Sequence, residues 1–187
     1  MITTVRLPRS CRSLRSWPVA LVLLLGGCGA TKPQVATSGP LGSSTPRPEN
    51  SLCSPVPSGA LFIEGGTVLR NNSADLVHVS DVRLEEPRGV ELTDLYRYSP
   101  EGNGRTLVGL FPGSALEYPV LSSADRRHVP PSGTSIEPGE EIALILQLRL
   151  VGERGTFERV IVDYDANGRR YEFRGNIRYE VRAEGCA

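Results

Sequence analysis

The stretch Tyr171–Arg182, YEFRGNIRYEVR, alternates apolar or small residues with charged or polar ones over twelve positions. A period of two puts alternate side chains on opposite faces of a β-strand. The stretch therefore predicts one long strand with a buried face and a solvated face. The same period in Ile142–Leu150, IALILQLRL, predicts a second strand, and Pro138-Gly139 before it predicts the turn that leads into it.

The rest of the region between residues 60 and 182 has the same character. Strands are predicted near 66–70, 76–85, 90–98 and 106–111, and Asn71–Asp75 is expected to join the first two as a hairpin turn. No window has a helical period, and turn residues recur at the spacing of a β-sandwich. The expected fold is therefore all-β, with two packed antiparallel sheets.

Three consecutive segments of the chain carry a resemblance to a known class of domain. The turn IEPGEE, the strand IALILQLRL and the hairpin VIVDYDANGRRYEF follow one another between Ile136 and Phe173. In this order they resemble immunoglobulin-like sandwich modules of secreted and membrane-anchored actinobacterial proteins. The resemblance covers roughly residues 60–182 and implies an antiparallel sandwich of about seven strands. It brings no catalytic residue with it.

The N-terminus has the zones of an export signal. Four arginines precede an apolar run, Val19–Leu25, which is far shorter than the roughly 20 residues of a membrane-spanning helix. The run ends in Leu25-Gly26-Gly27-Cys28, which resembles the bacterial lipobox. That resemblance implies cleavage before Cys28, a diacylated Cys28 thiol and anchoring at the extracytoplasmic face of the cell membrane. The alternative is an ordinary signal peptide, with Cys28 unmodified.

Composition divides the chain into three parts. Residues 1–27 are predicted to be the lipoprotein signal peptide. Residues 28–52 are rich in Ser, Thr, Pro and Gly and are predicted to be the lipidated cysteine with a flexible linker, since such a segment buries too little apolar surface to fold. Residues 53–187 are predicted to be the sandwich domain.

The charges restrict the partners. The chain has 21 basic and 21 acidic residues, and the four arginines of the signal peptide leave with it, so the mature chain is slightly acidic. This balance argues against nucleic acid as a partner, because phosphate binding needs a basic surface. The expected partners are the membrane, through the lipid on Cys28, and an envelope protein.

The cysteines predict a disulfide. Cys11 lies in the signal peptide and Cys28 is assigned to lipid, which leaves Cys53 and Cys186 at the two ends of the domain. Disulfides persist outside the cytoplasm, and the termini of a domain often lie close together. A metal or redox pair would usually have a close spacing such as CxxC, and these two cysteines do not.

The stretch Asp163–Gly168, DYDANG, matches the first half of a calcium loop, but Arg174 stands where the loop needs a bidentate Glu. The alternative is a hairpin with a type I′ turn at Asn167-Gly168. Its register opposes Asp165 to Arg170, Tyr164 to Tyr171 and Asp163 to Glu172, and the last pair needs a cation such as Arg174. The hairpin is the prediction, and a weak cation site formed by Asp163, Asp165 and Glu172 is the alternative.

Other chemistry has little support. The chain has two histidines, and its single Met is the start residue, which rules out a copper site of His, Cys and Met type. His78 is expected to be half exposed on a strand. His128 is expected to be solvated in a long loop over residues 112–135. The carboxylate pairs Glu85-Glu86 and Glu140-Glu141 adjoin turns, where they are expected to be solvated.

These features predict an envelope lipoprotein that acts as a non-enzymatic binding or scaffolding module without a cofactor. Binding is expected at sheet edges or at the 112–135 loop, because loops on a rigid scaffold commonly carry function. One alternative is a solute or cation carrier with a weak site near Asp163 and Asp165. A second is a hydrolase with no recognisable motif, since the sequence contains no GxSxG.

Overall fold

Fourteen β-strands and one short 3-10 helix account for most of the residues that this computed structural model describes, which are 36, 38–43, 47–99, 109–118, 126–130 and 132–186. The predicted signal peptide and Cys28 lie outside these residues. None of the helices in the described ranges is long and apolar enough to cross a membrane.

The strands alternate with turns along the whole described chain. Their bounds are β1 Ser38–Gly39, β2 Gly42–Ser43, β3 Asn50–Pro55, β4 Leu61–Arg70, β5 Val77–Glu85, β6 Val90–Tyr98, β7 Leu110–Pro112, β8 Arg126–His128, β9 Thr134–Ile136, β10 Glu141–Leu150, β11 Arg154–Phe157, β12 Arg159–Ala166, β13 Arg169–Arg174 and β14 Ile177–Arg182, and the 3-10 helix is Ala115–Glu117.

The strands form four sheets. The largest has the order β7-β4-β10-β6-β8, the second β13-β12-β5-β9, the third β11-β14-β3, and β1 pairs with β2. Every pair of named strands is antiparallel except β3 with β14. The predicted all-β sandwich is confirmed, although the described strands form four sheets rather than two and include one parallel pair. The described strands outnumber the expected seven because several are only two to four residues long.

The core lies between the five-stranded and the four-stranded sheets. Apolar residues at alternate positions of β4, β5, β10 and β12 fill it, including Phe62, Val82, Leu144 and Val162. Because β10 is also apolar at Ala143 and Ile145, its outer face is buried too, in a second cluster with residues of β4, β6 and the 3-10 helix. β10 is the central strand of its sheet, with neighbours on both edges, and it is buried on both faces.

The hairpin predicted around Asn167-Gly168 is confirmed in every pair. β12 and β13 oppose Asp165 to Arg170, Tyr164 to Tyr171 and Asp163 to Glu172. Asn167 and Gly168 have φ of 49° and 70°, the left-handed values that a type I′ turn requires at both central positions. A local turn with a fixed length thus determines the register of two whole strands.

The single long strand predicted over Tyr171–Arg182 is wrong. The stretch is divided at Gly175-Asn176 into β13, which pairs with β12, and β14, which pairs with β3 and β11 in another sheet. The Gly175 amide donates to the Val160 carbonyl at 3.0 Å, and a Cβ at Gly175 would lie 3.3 Å from that oxygen. Gly175 therefore lets the chain pass close to β12 as it leaves one sheet for the other.

The hairpin predicted at Asn71–Asp75 is also wrong. This turn joins β4 to β5, which belong to different sheets. Asn71 is fully buried, and its amide nitrogen donates to the carbonyls of Asp75 at 2.8 Å and Ile136 at 3.0 Å. Asn71 follows β4, and the two carbonyls belong to β9 and to the residues before β5, so its buried amide ties the end of one sheet to the other. Turn composition alone does not distinguish such an arch from a hairpin.

The flexible linker predicted over 28–52 is wrong where the structure describes its second half. β1 and β2 form a small hairpin, and β3 begins at Asn50. Leu41, between β1 and β2, is 4% exposed and belongs to the core, and its amide donates to the Tyr164 hydroxyl at 3.4 Å. Backbone hydrogen bonds add to this contact, since the Ala36 amide donates to the Arg170 carbonyl at 3.3 Å and the Ala36 carbonyl accepts from the Glu172 amide at 3.0 Å.

The predicted disulfide is present. Cys53 on β3 is bonded to Cys186, with a Cα–Cα distance of 6.0 Å and a sequence separation of 133. The parallel pairing of β3 with β14 brings the two ends of the domain together. Both cysteines are exposed to solvent.

Candidate functional site

The outer face of the four-stranded sheet carries charged side chains on three adjacent strands, and we call it the charged face. Its central residue is Arg83, which bonds to Asp163 and, at 2.8 Å, to Glu172. Arg174 also bonds to Glu172, at 2.5 Å. The members of the charged face are Asp81, Arg83 and Glu85 from β5, Arg159, Asp163 and Asp165 from β12, and Arg170, Glu172 and Arg174 from β13.

Asp163 and Glu172 are like-charged and lie opposite each other in the hairpin, so this register requires a cation beside them, and the structure contains one. Arg174 contributes as predicted, while the bridge between the two carboxylates comes from Arg83 on the neighbouring strand β5. Sequence reasoning did not identify Arg83, because the pairing of β5 with β12 depends on long-range contacts.

The alternative cation site at Asp163, Asp165 and Glu172 gains no support. Arg83 and Arg174 already contact two of these carboxylates, and Asp165 lies 3.8 Å from Arg170. Among the residues the structure describes, no group of three or more His, Cys, Asp or Glu side chains could hold a metal ion. Guanidinium groups occupy the places where a metal would have to bind.

Two of the acidic residues predicted to be solvated are in fact paired. Glu85 bonds to Arg159 at 2.7 Å and to Arg174 at 2.9 Å, and Glu140 bonds to Arg97. Arg159 is the buried member of the charged face at 3% exposure, whereas the Arg97 side chain is 21% exposed. Turn composition indicates exposure on average, but an arginine that is close only in the fold pairs with each carboxylate.

The two histidines lie on different sheets. His78 is exposed on β5 as expected, with its Nδ1 3.0 Å from the Ser135 hydroxyl. His128 is on the short strand β8 rather than in an irregular loop, with Nε2 3.1 Å from Asp94 and its ring against Tyr96. The side chain of His128 is 63% exposed, so the expectation of solvent contact is correct.

A site that sequence reasoning missed lies inside the sandwich. Glu64 on β4 is completely buried. Its Oε1 accepts hydrogen bonds from the Gly66 amide at 2.5 Å and from the Tyr179 hydroxyl at 2.7 Å, and its Oε2 accepts from the Thr67 hydroxyl at 3.3 Å. Tyr179 belongs to β14, so this carboxyl connects two sheets.

The surroundings of Glu64 change its acidity. Burial raises the pKa of the Glu64 carboxyl to about 7, and the three hydrogen bonds act in the opposite direction. Burial, followed by the neighbouring Glu64, raises the pKa of the Tyr179 phenol as well. Glu64 can therefore change its charge near neutral pH inside a packed core, and perturbed groups of this kind are often functional.

A β-bulge explains why β4 can hold a carboxyl in this position. Glu64 is paired with Leu146 and Thr67 with Leu144, so two residues of β4 oppose one of β10. A Cβ at Gly66 would lie 2.8 Å from Glu64 Oε1 and 3.1 Å from the Tyr179 hydroxyl oxygen, so this position needs glycine. The sequence contains a signal for the bulge, since Glu64-Gly65-Gly66 interrupts an apolar strand, but nothing in it identifies Tyr179 as the partner.

A cleft opens beside this carboxyl, where the chain passes from β13 to β14, and we call it the Glu64 cleft. Thr67 and Tyr179, which both bond to Glu64, lie in its wall, and its volume is about 140 Å³. The lining consists of Gly66, Thr67, Val68, Val160, Phe173, Gly175, Asn176, Ile177 and Tyr179. Walls that combine apolar side chains with hydroxyl and amide groups suit ligand binding.

The sequence matches no protein-family model and no curated protein. Among solved structures, the chain is similar to the ASH/PapD-like domain of human CEP192 (PapD-like domain 7). The similarity has a TM-score of 0.37 and 14% identity, and it covers 94% of this chain and 97% of that one.

Proposed function

We propose that this chain is a lipid-anchored lipoprotein of the bacterial cell envelope whose domain is a non-enzymatic binding module that takes a partner into the Glu64 cleft. The observation that carries the proposal is the cleft itself, with a buried carboxyl beside it that titrates near neutral pH. A carboxyl of this kind, beside a concave site with apolar walls, is typical of binding sites.

The size of the Glu64 cleft indicates what kind of ligand it takes. Pockets for drug-sized molecules usually have about 300–1,000 Å³, whereas this cleft has about 140 Å³. It suits one side chain or a small group, and this favours the projecting segment of a partner over a large free molecule. A cleft of about 340 Å³ lies at Asp163, where the carrier alternative would bind, but its carboxylates Asp163 and Glu172 are already paired with Arg83. The hydrolase alternative has no comparable observation among the described residues.

The anchor rests on Leu25-Gly26-Gly27-Cys28. Because β1 begins at Ser38, only residues 29–37 separate Cys28 from the first strand. Nine residues reach at most about 30 Å. The proposed lipid would therefore hold the domain close to the membrane surface, so partners would be membrane-bound or membrane-proximal.

Replacing Cys28 by alanine is expected to release the protein from the membrane fraction, because the proposed lipid is attached to that thiol. Fractionation of the native host, followed by detection of the chain, measures this. Cys11→Ala is the matched control, since Cys11 lies in the predicted signal peptide, and it is expected to stay with the membrane. Membrane retention of the Cys28→Ala protein would overturn the anchor.

A photo-crosslinking side chain at position 173 is expected to capture a partner in cells, because Phe173 lies in the wall of the Glu64 cleft. The same group at Leu116, which is 67% exposed on the 3-10 helix, is the control. Mass spectrometry of the adducts gives the result. Support is a specific adduct at 173 that is absent at 116, and the same adducts at both positions, or none at 173, would contradict the proposed binding cleft.

A further inference from the structure

We infer that the Glu64 cleft binds a primary ammonium group on an aliphatic stem, as in a lysine side chain, with the ammonium paired to the Glu64 carboxylate. This rests on the proposed function, since it names the ligand of the same cleft. Three features of the described residues support it, namely the lack of a counter-ion at Glu64, the shape and polarity of the cleft, and the spare hydrogen-bonding capacity of Oε2.

Glu64 differs from three partly buried carboxylates of the domain. Glu85 and Glu172 each contact arginine, and so does Glu140. Among the described residues no cation contacts Glu64, and its three hydrogen bonds come from neutral groups. A buried carboxylate without a counter-ion carries an uncompensated desolvation cost, which a bound cation would offset.

The shape of the cleft selects the form of that cation. Val68, Phe173 and Ile177 provide apolar wall, and the hydroxyls that bond to Glu64 lie in the same lining. A cleft of about 140 Å³ is smaller than a pocket for a drug-sized molecule, and a slender aliphatic stem ending in one ammonium nitrogen suits its mixed apolar and polar lining.

The hydrogen bonds of Glu64 show where the ammonium can bind. Within the described ranges, Oε1 accepts two hydrogen bonds and Oε2 accepts one, from the Thr67 hydroxyl at 3.3 Å. A carboxylate oxygen can accept two, so Oε2 retains capacity. Glu64 itself is buried behind the lining, and Thr67, a lining residue, donates its hydroxyl to Oε2. The inference therefore requires the Thr67 side chain to rotate away from Oε2 when the ammonium enters.

The test uses n-butylammonium as the probe and n-butanol, its neutral counterpart of the same length, as the control ligand. NMR titration of the Gly66 and Thr67 amides and the Ile177 methyl groups should give a millimolar dissociation constant for the amine and no saturable shift for the alcohol. Tyr179 is the one titratable side chain bonded to Glu64 among the described residues, and it stays neutral over the range of the test.

The affinity should depend on pH through the ionisation of Glu64. With a pKa of about 7, some 3% of the carboxyl is ionised at pH 5.5 and nearly all of it at pH 8.5. The amine is expected to bind about 30-fold more weakly at pH 5.5, because only the ionised fraction is competent. Equal affinity at the two pH values would overturn the inference without any variant.

Two variants locate the charge. Glu64→Gln should abolish amine binding at pH 8.5, and Glu153→Gln, at an exposed carboxyl, should leave it unchanged. Glutamine has the shape of the protonated acid, so the wild-type spectrum at pH 5.5 is the reference for a folded Glu64→Gln protein. Retained binding in Glu64→Gln, or saturable binding of butanol with the same affinity, would contradict an ammonium site.

A second arm distinguishes the source of the ammonium. Nα-acetyl-lysine methylamide should bind at least as tightly as butylammonium if the cleft takes a lysine of a protein partner, and more weakly if it takes a free amine. Failure of every amine, together with a specific crosslink at position 173, would reject the ammonium inference and leave the binding module in place. Loss of that crosslink as well would reject both.

Discussion

Replacing Cys53 and Cys186 together by serine is expected to lower the free energy of unfolding of the domain by about 5 kcal/mol. The bond closes a loop with a sequence separation of 133, and the chain-entropy relation gives about 5 kcal/mol for that length. Domains of this size are usually stable by about 5–15 kcal/mol, so the loss is a third or more of the total. Urea unfolding of the two proteins at one pH measures it.

Because both cysteines are exposed, the change in the free energy of unfolding can be attributed to the disulfide alone. Neither side chain fills the core, so Ser at both positions leaves no cavity, and the change reports the cross-link itself. Chemical reduction of the wild-type protein is the control and should reproduce the effect of the double variant. A loss below about 1 kcal/mol would show that the bond does not form or does not constrain the unfolded chain.

The Glu64 carboxyl is expected to make the domain less stable as the pH rises from about 4.5 to 7. Its pKa in the folded protein is about 7 against an ordinary 4.5, so within this window the folded state keeps a proton that the unfolded state has lost. Unfolding releases that proton and becomes easier as the pH rises. A difference of about 2.5 pH units corresponds to about 3 kcal/mol, with no further change above pH 7.

Urea unfolding at pH 4.5 and pH 8 tests this expectation. Glu64→Gln removes the ionisation but keeps the shape, so its loss of stability between the two pH values should be about 3 kcal/mol smaller than that of the wild type. Glu153→Gln, at an exposed carboxyl, should behave like the wild type. The same pH dependence in all three proteins would show that Glu64 does not titrate in this way.

The elements that were predicted correctly depend on short-range chemistry. The turn at Asn167-Gly168 determines the register of β12 with β13 because both residues adopt the left-handed conformation of a two-residue turn. β6 covers Val90–Tyr98, which is the range predicted for it. The pattern of apolar and polar side chains that predicts this strand lies entirely within its nine residues. The pair Cys53–Cys186 is separated by the whole domain, yet elimination among four cysteines was sufficient.

The candidate site could not be predicted in the same way. Glu64-Gly65-Gly66 indicates a bulge, but a glutamate next to glycines is more often exposed at a turn. What makes Glu64 unusual is the Tyr179 hydroxyl from another sheet, 115 residues away, together with complete burial. Arg83 is a similar case, since its bonds to Asp163 and Glu172 depend on which strand lies beside β12.

By itself, the sequence determined that this is an all-β domain, where most of its long strands lie, how one hairpin is paired and which cysteines close the domain. The fold class and the strand positions depend on side-chain alternation, the hairpin pairing depends on the conformation of a two-residue turn, and the disulfide depends on the number of cysteines. Only the tertiary structure decided that YEFRGNIRYEVR is divided at Gly175 between two sheets, and that Glu64 is buried beside a cleft. The physical reason is that sheet membership and burial arise from contacts between distant segments, which a period of two leaves undetermined.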